Sequence, residues 1–161
     1  MIILRQKTYS KKTSTVYLLV GLPGSGKSTW CKKEHPNLPV ISRDIIRYKL
    51  GYTSGPHEKA RLTEAQEELI TKEEYRCINQ YLNSGNDFII DDTNLKKKYR
   101  TQMIDVLKNK NAYIVGVNFN TPLNVCIKRR KEQISPETMT KINLGKDKLD
   151  KNEVDEIINI K

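Results

Sequence analysis

Cysteine and histidine are scarce in this chain of 161 residues. The three cysteines lie far apart, the two histidines are isolated, and no Cys-x-x-Cys pair occurs. Zinc motifs need clustered ligands, and a disulfide framework needs an even set of cysteines, so neither kind of site is supported. We therefore expect three free thiols and no histidine–cysteine metal centre.

Long apolar runs are missing as well. No stretch approaches the roughly 20 apolar residues that a membrane helix requires. The first residues, MIILRQKTYSKK, lack the apolar core and the small-residue cleavage site of a secretory signal. The sequence therefore predicts a cytoplasmic protein that has no membrane partner.

Negative charge is in deficit. The chain has 29 lysine and arginine residues against 19 aspartate and glutamate residues, which gives a formal net charge of +10. Such a surplus favours a polyanionic ligand, nucleic acid above all. The basic residues are spread over both halves of a lysine-rich chain, so a bias in composition explains the surplus equally well.

Short apolar runs alternate with helical segments along the chain. The runs predict strands at 16–20, 39–42, 87–91, 112–119 and 153–160. Among the helices predicted between them, a long one extends from about residue 58 to residue 82. This alternation indicates an α/β fold with a mostly parallel sheet of about five strands. We predict one domain at 15–161, preceded by a basic extension at 1–14. The sequence does not indicate which oligomeric state the protein adopts.

The stretch GLPGSGKS at 21–28 matches the phosphate-binding loop G-x-x-x-x-G-K-[ST]. Glycines let the backbone N–H groups of such a loop turn towards phosphate oxygens, and the following helix adds the positive end of its dipole. A predicted strand before the loop and a predicted helix after it supply the context that this motif requires. The sequence therefore predicts binding of a nucleoside triphosphate, ATP or another, together with Mg²⁺. The predicted contacts are Gly21, Leu22, Pro23, Gly24, Ser25, Gly26, Lys27, Ser28 and Thr29.

Three residues of this loop have individual predicted roles. Lys27 would reach the β and γ phosphates, where its charge supports catalysis. The hydroxyl of Ser28 would bind Mg²⁺, and Thr29 would contact the α phosphate.

The segment DDTNL follows a predicted strand. Carboxylates at the end of that strand, Asp91 and Asp92, are placed to orient Mg²⁺. Thr93 and Asn94 are predicted to connect the phosphate loop with the acceptor pocket. The same residues also suit a turn followed by a helix cap, which is the structural alternative.

The segment SRDIIR places two charged residues at the start of a predicted helix. Asp44 and Arg47 are three positions apart and therefore share a helix face. The carboxylate can take the proton of an attacking hydroxyl, and the guanidinium can bind a phosphate. As the alternative, an aspartate in a first turn complements the helix dipole, and an i,i+3 pair is often a surface ion pair.

The segment IKRRKEQISPE at 127–137 is strongly basic. An arginine from a mobile lid stabilises the charge that builds on a transferred phosphoryl group, so Arg129 and Arg130 are catalytic candidates. A cationic helix end that complements the dipole explains the same pattern.

The sequence also narrows the class of nucleotide-binding protein. The guanine-reading N-K-x-D segment of regulatory GTPases is absent, and large motor ATPases need a longer chain. By analogy at the level of the fold, a small P-loop chain is typical of a kinase that acts on a small or terminal hydroxyl acceptor.

Three segments, GLPGSGKSTW, SRDIIR and DDTNL, resemble in order and spacing the kinase module of phage-type polynucleotide 5′-hydroxyl kinases, over about residues 15–160. The resemblance implies a three-layer α/β P-loop kinase with a short lid. It implies transfer of the γ-phosphate of ATP to the 5′-OH of DNA or RNA, with nucleic acid 5′-OH ends as partners. The phosphatase motif D-x-D-G-T is absent, so no 3′-phosphatase activity is expected.

The same resemblance implies roles for individual residues. Asp44 corresponds to the general base, and Arg47 to the arginine that holds the phosphate on the 3′ side of the acceptor. Asp92 corresponds to the aspartate after the third strand, which related small kinases carry at Asp91. Arg129 matches the first lid arginine. The second falls on Gln133 unless Arg130 takes its place.

Two other functions remain open on the sequence alone. One is a small-molecule P-loop kinase with a nucleoside, nucleotide or sugar as acceptor. The other is a nucleotide-binding switch without transfer, against which the intact Lys27, Ser28 and Asp44 argue.

Overall fold

The structure, a computed structural model, describes residues 13–56, 58 and 60–161. The predicted N-terminal extension lies almost entirely outside these residues. In chain order, the described elements are β1 (Thr15–Val20), α1 (Lys27–Glu34), β2 (Val40–Ile41), α2 (Arg43–Lys49), α3 (Glu64–Ser84), β3 (Phe88–Ile90), α4 (Lys97–Asn109), β4 (Tyr113–Phe119), α5 (Leu123–Arg130), α6 (Pro136–Leu144) and β5 (Glu156–Ile160).

The strands form one parallel sheet in the order β2-β3-β1-β4-β5. Leu18 at the centre of β1 is aligned with Ile90 on one side and with Gly116 on the other. From β1 the chain continues to β2 and β3 on one side of that strand and then crosses to β4 and β5 on the other. A crevice therefore opens at the carboxyl end of β1, where α/β sheets bind ligands. The predicted α/β fold with a parallel five-stranded sheet is confirmed.

Apolar side chains cover both faces of the sheet. On one face, Leu19, Val117 and Phe119 pack against Cys31 of α1. The opposite face carries the larger core, in which the helices bury the following side chains: Ile70, Ile78, Leu82, Met103, Leu107 and Met139. All three cysteines are free thiols, as expected. Within the described residues, no helix is both long enough and apolar enough to cross a membrane.

Helix α3 begins later than the sequence predicts. The predicted start near residue 58 is wrong, because Thr63 caps the helix through a reciprocal pair of hydrogen bonds with Gln66. The carboxylate of Glu58 instead accepts a hydrogen bond from the N–H of Ser54, 3.0 Å away, within the preceding loop. At its other end the helix stops at Gly85, whose φ of 67° suits glycine.

A buried ion pair joins α4 to the C-terminal segment. The guanidinium of Arg100 is completely buried and donates two hydrogen bonds to the carboxylate of Glu153, with N···O distances of 3.1 and 3.0 Å. Burial alone would raise the pKa of Glu153, but hydrogen bonds from Arg100 and from the N–H of Asp150 lower it overall. Arg100 also donates to the carbonyl of Asn94, 2.8 Å away, and so fixes the segment that follows β3.

We expect Arg100→Ala to lower the free energy of unfolding by about 3–5 kcal/mol, because it leaves the Glu153 carboxylate buried without its partner. Lys97→Ala is the matched control on the same helix, since the Lys97 ammonium lies in an exposed pair 4.0 Å from Asp150. The control should cost at most about 1 kcal/mol. Urea denaturation at neutral pH measures the free energy of unfolding of both variants. Similar losses of stability in the two variants would contradict the conclusion that the buried pair of Arg100 and Glu153 stabilises the fold.

Candidate active site

A cleft of about 1410 Å³ opens at the carboxyl edge of the sheet. Its walls include the phosphate loop, the start of α2, the segment after β3 and the end of α5, so the structure brings all four predicted segments together. Among the predicted residues, three stand outside the lining: Gly21, Leu22 and Asn94. Hydrogen bonds between these three residues and Lys27 or β1 support the residues that form the lining.

The loop between β1 and α1 has the backbone that its sequence predicts. Gly24 and Gly26 have φ angles of 79° and 98°, which favour glycine. A Cβ atom on Gly24 would also lie 2.7 Å from Cγ of Arg130 and 3.2 Å from the carbonyl oxygen of Cys126. The loop leads directly into α1, and the N–H groups at the start of a helix have no partner within it. Together these features form an anion-binding site.

Lys27 places a buried cation at this loop. Its Nζ donates hydrogen bonds to the carbonyl oxygens of Gly21, at 3.1 Å, and Leu22, at 2.9 Å. Burial lowers the pKa of Lys27, and the nearby carboxylates of Asp91 and Asp92 oppose that shift. A positive charge in this poorly solvated position interacts strongly with any phosphate held by the loop.

Ser28 and Asp91 pair across the cleft floor. The hydroxyl of Ser28 donates to Oδ2 of Asp91 over 2.8 Å. Hydroxyl and carboxylate oxygens are the donors that Mg²⁺ prefers, so these residues fit the predicted metal. Among the described residues, no group of three or more His, Cys, Asp or Glu side chains is arranged to hold a metal. Mg²⁺ bound here would therefore complete its coordination with nucleotide phosphates and water.

Asp92 faces the opposite way from its neighbour Asp91. Its Oδ1 accepts a hydrogen bond from the N–H of Arg43 at 3.0 Å, while Oδ2 is shielded from solvent and has no partner in the described structure. Burial and then the nearby Glu74 raise the pKa of Asp92 well above its usual range. Asp92 thus caps α2, and the geometry favours Asp91 as the group beside Ser28. A metal role for Asp92 stays a prediction.

Asp44 and Arg47 form the pair that their spacing predicts. On α2 the Arg47 guanidinium donates a hydrogen bond to the Asp44 carboxylate, and both residues line the cleft. The Asp44 side chain is 42% exposed, and that of Arg47 is 22% exposed. A second carboxylate, on Glu67 of α3, lies 4.0 Å from Nε of Arg47.

Sequence analysis missed a charged network that anchors α2. Arg43 donates to Thr71 at 3.0 Å, to Glu74 at 2.9 Å and to Glu67 at 2.8 Å. Burial alone would lower the pKa of Arg43, but Glu74 and the other acidic groups raise it overall. The three partners on α3, Glu67, Thr71 and Glu74, are spaced i, i+4 and i+7 and therefore form a polar stripe on a partly buried helix. That stripe is the sequence signal that could have indicated the network.

Thr93 and Asn94 connect the segment after β3 to β1. The N–H of Gly21 donates to the carbonyl of Thr93 at 3.0 Å, and the Asn94 side chain donates to the carbonyl of Leu19 at 2.8 Å. These two hydrogen bonds connect the segment after β3 to the main chain of β1 and of the phosphate loop. Direct contact of these two residues with an acceptor stays a prediction.

The two candidate lid arginines differ in their surroundings. Arg129 is exposed and donates to the carbonyl of Gly24 at 3.0 Å. Arg130 is half-buried, and its Nε is shielded from solvent without a partner among the described residues. Both line the cleft beside the phosphate loop, so both remain candidates for stabilising a transferred phosphoryl group.

A family model described as an AAA domain matches residues 16–149. The chain belongs to this family. The match covers all three motif segments, and the parallel five-stranded sheet agrees with the P-loop kinase fold that these segments predict.

This chain is similar in sequence to two curated relatives and in sequence and fold to a chain of one solved structure. A protein of Autographa californica nuclear polyhedrosis virus, named "Putative bifunctional polynucleotide kinase/RNA ligase", is 31% identical over 77% of this chain and 20% of its own length. The L-seryl-tRNA(Sec) kinase of Methanococcus maripaludis is 30% identical over 72% of this chain and 45% of its own. The Pnkp1/Rnl/Hen1 complex contains a chain with 25% identity and a TM-score of 0.64, covering 76% of this chain and 41% of that one. This chain thus spans less than half the length of each.

We expect Gly24→Ala to weaken ATP binding by about tenfold or more. Strain at a positive φ costs about 1–3 kcal/mol, and here a Cβ atom would also meet Arg130. Gly51→Ala is the matched control, because its φ is 75° and nothing lies within 4 Å of an added Cβ. Calorimetric titration with ATP and Mg²⁺ measures both. Equal losses of ATP affinity in the two variants would show that the contact between an added Cβ atom and Arg130 does not matter for binding.

Proposed function

We propose that the protein transfers the γ-phosphate of ATP to the 5′-hydroxyl end of a polynucleotide. The observation that carries this proposal is the pair of Asp44 and Arg47 on the wall of the same cleft as the phosphate loop. A kinase needs a group that accepts the hydroxyl proton, and a polynucleotide acceptor also presents a phosphate near that hydroxyl. A carboxylate and an arginine one helical turn apart match these two needs.

The chain's own residues divide the work of transfer. Lys27 holds the β and γ phosphates, and Ser28 and Asp91 would hold Mg²⁺. When bound, Mg²⁺ neutralises phosphate charge. Asp44 accepts the proton as the acceptor oxygen bonds to the γ phosphorus and the bond to the β-phosphate oxygen breaks, which releases ADP.

The developing charge on the transferred group needs a mobile cation. Arg129 is the better placed of the two lid candidates, because it is exposed and already lies against the phosphate loop through Gly24. Its guanidinium can turn from that carbonyl to a phosphoryl oxygen without repacking the core, whereas Arg130 is half-buried. Arginine in this position stabilises the transition state more than the bound substrate.

Two further facts support a polynucleotide acceptor. The net charge of +10 attracts polyanions, and one of the similar proteins is named as a putative polynucleotide kinase. A small-molecule acceptor is the competing proposal: a nucleoside, nucleotide or sugar. The seryl-tRNA kinase relative has a different hydroxyl acceptor by its name, so the family alone does not select one.

The deciding experiment follows labelled γ-phosphate from ATP with Mg²⁺ to a panel of acceptors. The panel contains a 5′-OH oligodeoxynucleotide, a 5′-OH oligoribonucleotide, a nucleoside 3′-phosphate, free nucleosides and sugars. We expect label on the oligonucleotides and on the nucleoside 3′-phosphate. Label on monomers alone, with oligonucleotides ignored, would replace the proposal by the small-molecule kinase.

Two variants separate the proposed roles of cation and base. Lys27→Ala should abolish transfer and weaken ATP binding, because it removes the buried charge at the phosphate loop. Asp44→Asn should lower kcat by about 10²–10⁴ while the Kd for ATP stays nearly unchanged, because only the proton acceptor is lost. Transfer kinetics and calorimetry measure the two quantities, and parallel losses of ATP affinity would refute the division.

A further inference from the structure

β5 (Glu156–Ile160) forms one edge of the sheet. It pairs in parallel with β4 on its inner side, and no other strand among the described residues pairs with its outer side. The opposite edge is formed by β2, which has only two residues, whereas β5 has five. Because an edge strand presents a row of unpaired backbone N–H and C=O groups, it can accept a further strand. β5 is therefore the edge of this sheet that offers more such groups.

The outward-pointing backbone groups of β5 belong to Ile157 and Asn159. The carbonyl of Ile160 accepts a hydrogen bond of 2.8 Å from the N–H of Asn120, just after β4, so the polar groups of Ile160 face β4. Backbone polar groups of successive residues in a strand point to opposite sides, so those of Ile157 and Asn159 point away from β4. β5 also lacks the proline and lysine residues with which edge strands commonly prevent pairing.

The segment DEIINIK at 155–161 fits a second copy of itself in antiparallel orientation. A two-fold axis at Ile158 places this residue opposite its own counterpart and places Ile157 opposite Asn159 of the second copy. In an antiparallel pair, two opposite residues whose backbone groups face each other exchange two hydrogen bonds. Ile157 and Asn159 are such residues, so this register uses the outward-pointing groups that β5 offers.

The side chains agree with the same register. Asp155 lies opposite Lys161 of the second copy, so a carboxylate of each copy meets an ammonium of the other. Both residues are exposed, and a hydrogen bond of 2.7 Å from the N–H of Ile114 holds the Asp155 carboxylate in position. Ile158 is only half-buried against the apolar cluster on its face of the sheet, and it gains its own counterpart as an apolar neighbour. Opposite-charge and apolar pairs across two strands both stabilise their pairing.

We propose that two copies of this chain join through β5 as a symmetric dimer, in which the sheets of the two copies form one continuous sheet. A two-fold axis closes the contact, because each β5 then pairs with the other and neither strand keeps an open edge. The interface consists of one short strand from each copy and is far smaller than that of a permanent dimer. The dimer therefore dissociates on dilution.

The dimer leaves both clefts open. The cleft of each copy lies at the carboxyl edge of its sheet, and antiparallel pairing places that edge beside the amino edge of the second copy. The two clefts therefore open in opposite directions, and neither phosphate loop is covered. The association is measured without reference to any acceptor, so its failure would leave the proposed function untouched.

Sedimentation equilibrium of the full chain, over about 1–500 µM and at physiological salt, measures the association. We expect a monomer–dimer equilibrium with a Kd of about 10–100 µM, as suits a small interface. Asn159→Pro removes the outward N–H, which an edge strand tolerates, and should raise Kd at least about tenfold. Asn159→Ala is the matched control, because it loses the same side chain but keeps the N–H. Its Kd should stay within about threefold of that of the unmodified protein.

Two further measurements locate the contact. Lys161→Glu should raise Kd about tenfold, because a repulsive pair replaces an attractive one on both sides of the axis. Lys151→Glu makes the same change of charge at another exposed lysine and should leave Kd nearly unchanged. Hydrogen exchange at the N–H groups of Ile157 and Asn159 should slow as the protein concentration rises, since these groups are bonded only in the dimer.

A chain that stays monomeric over the whole concentration range would overturn the proposal. A dimer whose Kd is unchanged by both Asn159→Pro and Lys161→Glu would also overturn it, because that dimer uses another surface. Circular dichroism verifies that each variant is folded. Lys161→Glu alters only an exposed side chain, so it decides the question if Asn159→Pro fails to fold.

Discussion

The parallel pairing of β1 with β3 is the constraint on which the rest of the site depends. Because Leu18 is aligned with Ile90, both strands end at the same edge of the sheet. The phosphate loop that follows β1 therefore meets the acidic segment that follows β3, and the hydroxyl of Ser28 comes within 2.8 Å of Asp91. An antiparallel partner would send one of these segments to the far edge.

Neighbouring residues serve different parts of the site because side chains alternate at the end of a strand. Asp91 points to the phosphate loop and Asp92 points to α2, so a single dipeptide fixes the nucleotide side and the acceptor side relative to each other. The hydrogen bond from the N–H of Gly21 to the carbonyl of Thr93 is a third link between the phosphate loop and the segment after β3. Such rigid supports are what a transfer reaction requires, since misplacement of a reacting group by 1 Å costs a large part of the rate.

Two ion pairs with buried members support segments that form the site. Arg43 with Glu74 anchors α2, and Arg100 with Glu153 anchors the segment after β3. Burying ion pairs gains little net stability compared with apolar packing of similar volume. Their value here is positional, because each guanidinium makes several directed bonds that an apolar side chain could not make.

The sequence by itself determined the elements and the motif chemistry. Short apolar runs predicted all five strands, and the match of residues 21–28 to G-x-x-x-x-G-K-[ST] predicted the phosphate loop, because both signals are local along the chain. The start of α3 was wrong, since a capping box at Thr63 outweighed helix propensity upstream. Only the tertiary structure decided which of Asp91 and Asp92 faces Ser28, and which side chains of α3 contact Arg43 and Arg47. Those contacts join residues far apart in sequence, and their geometry depends on how α2 and α3 pack, which no local pattern encodes.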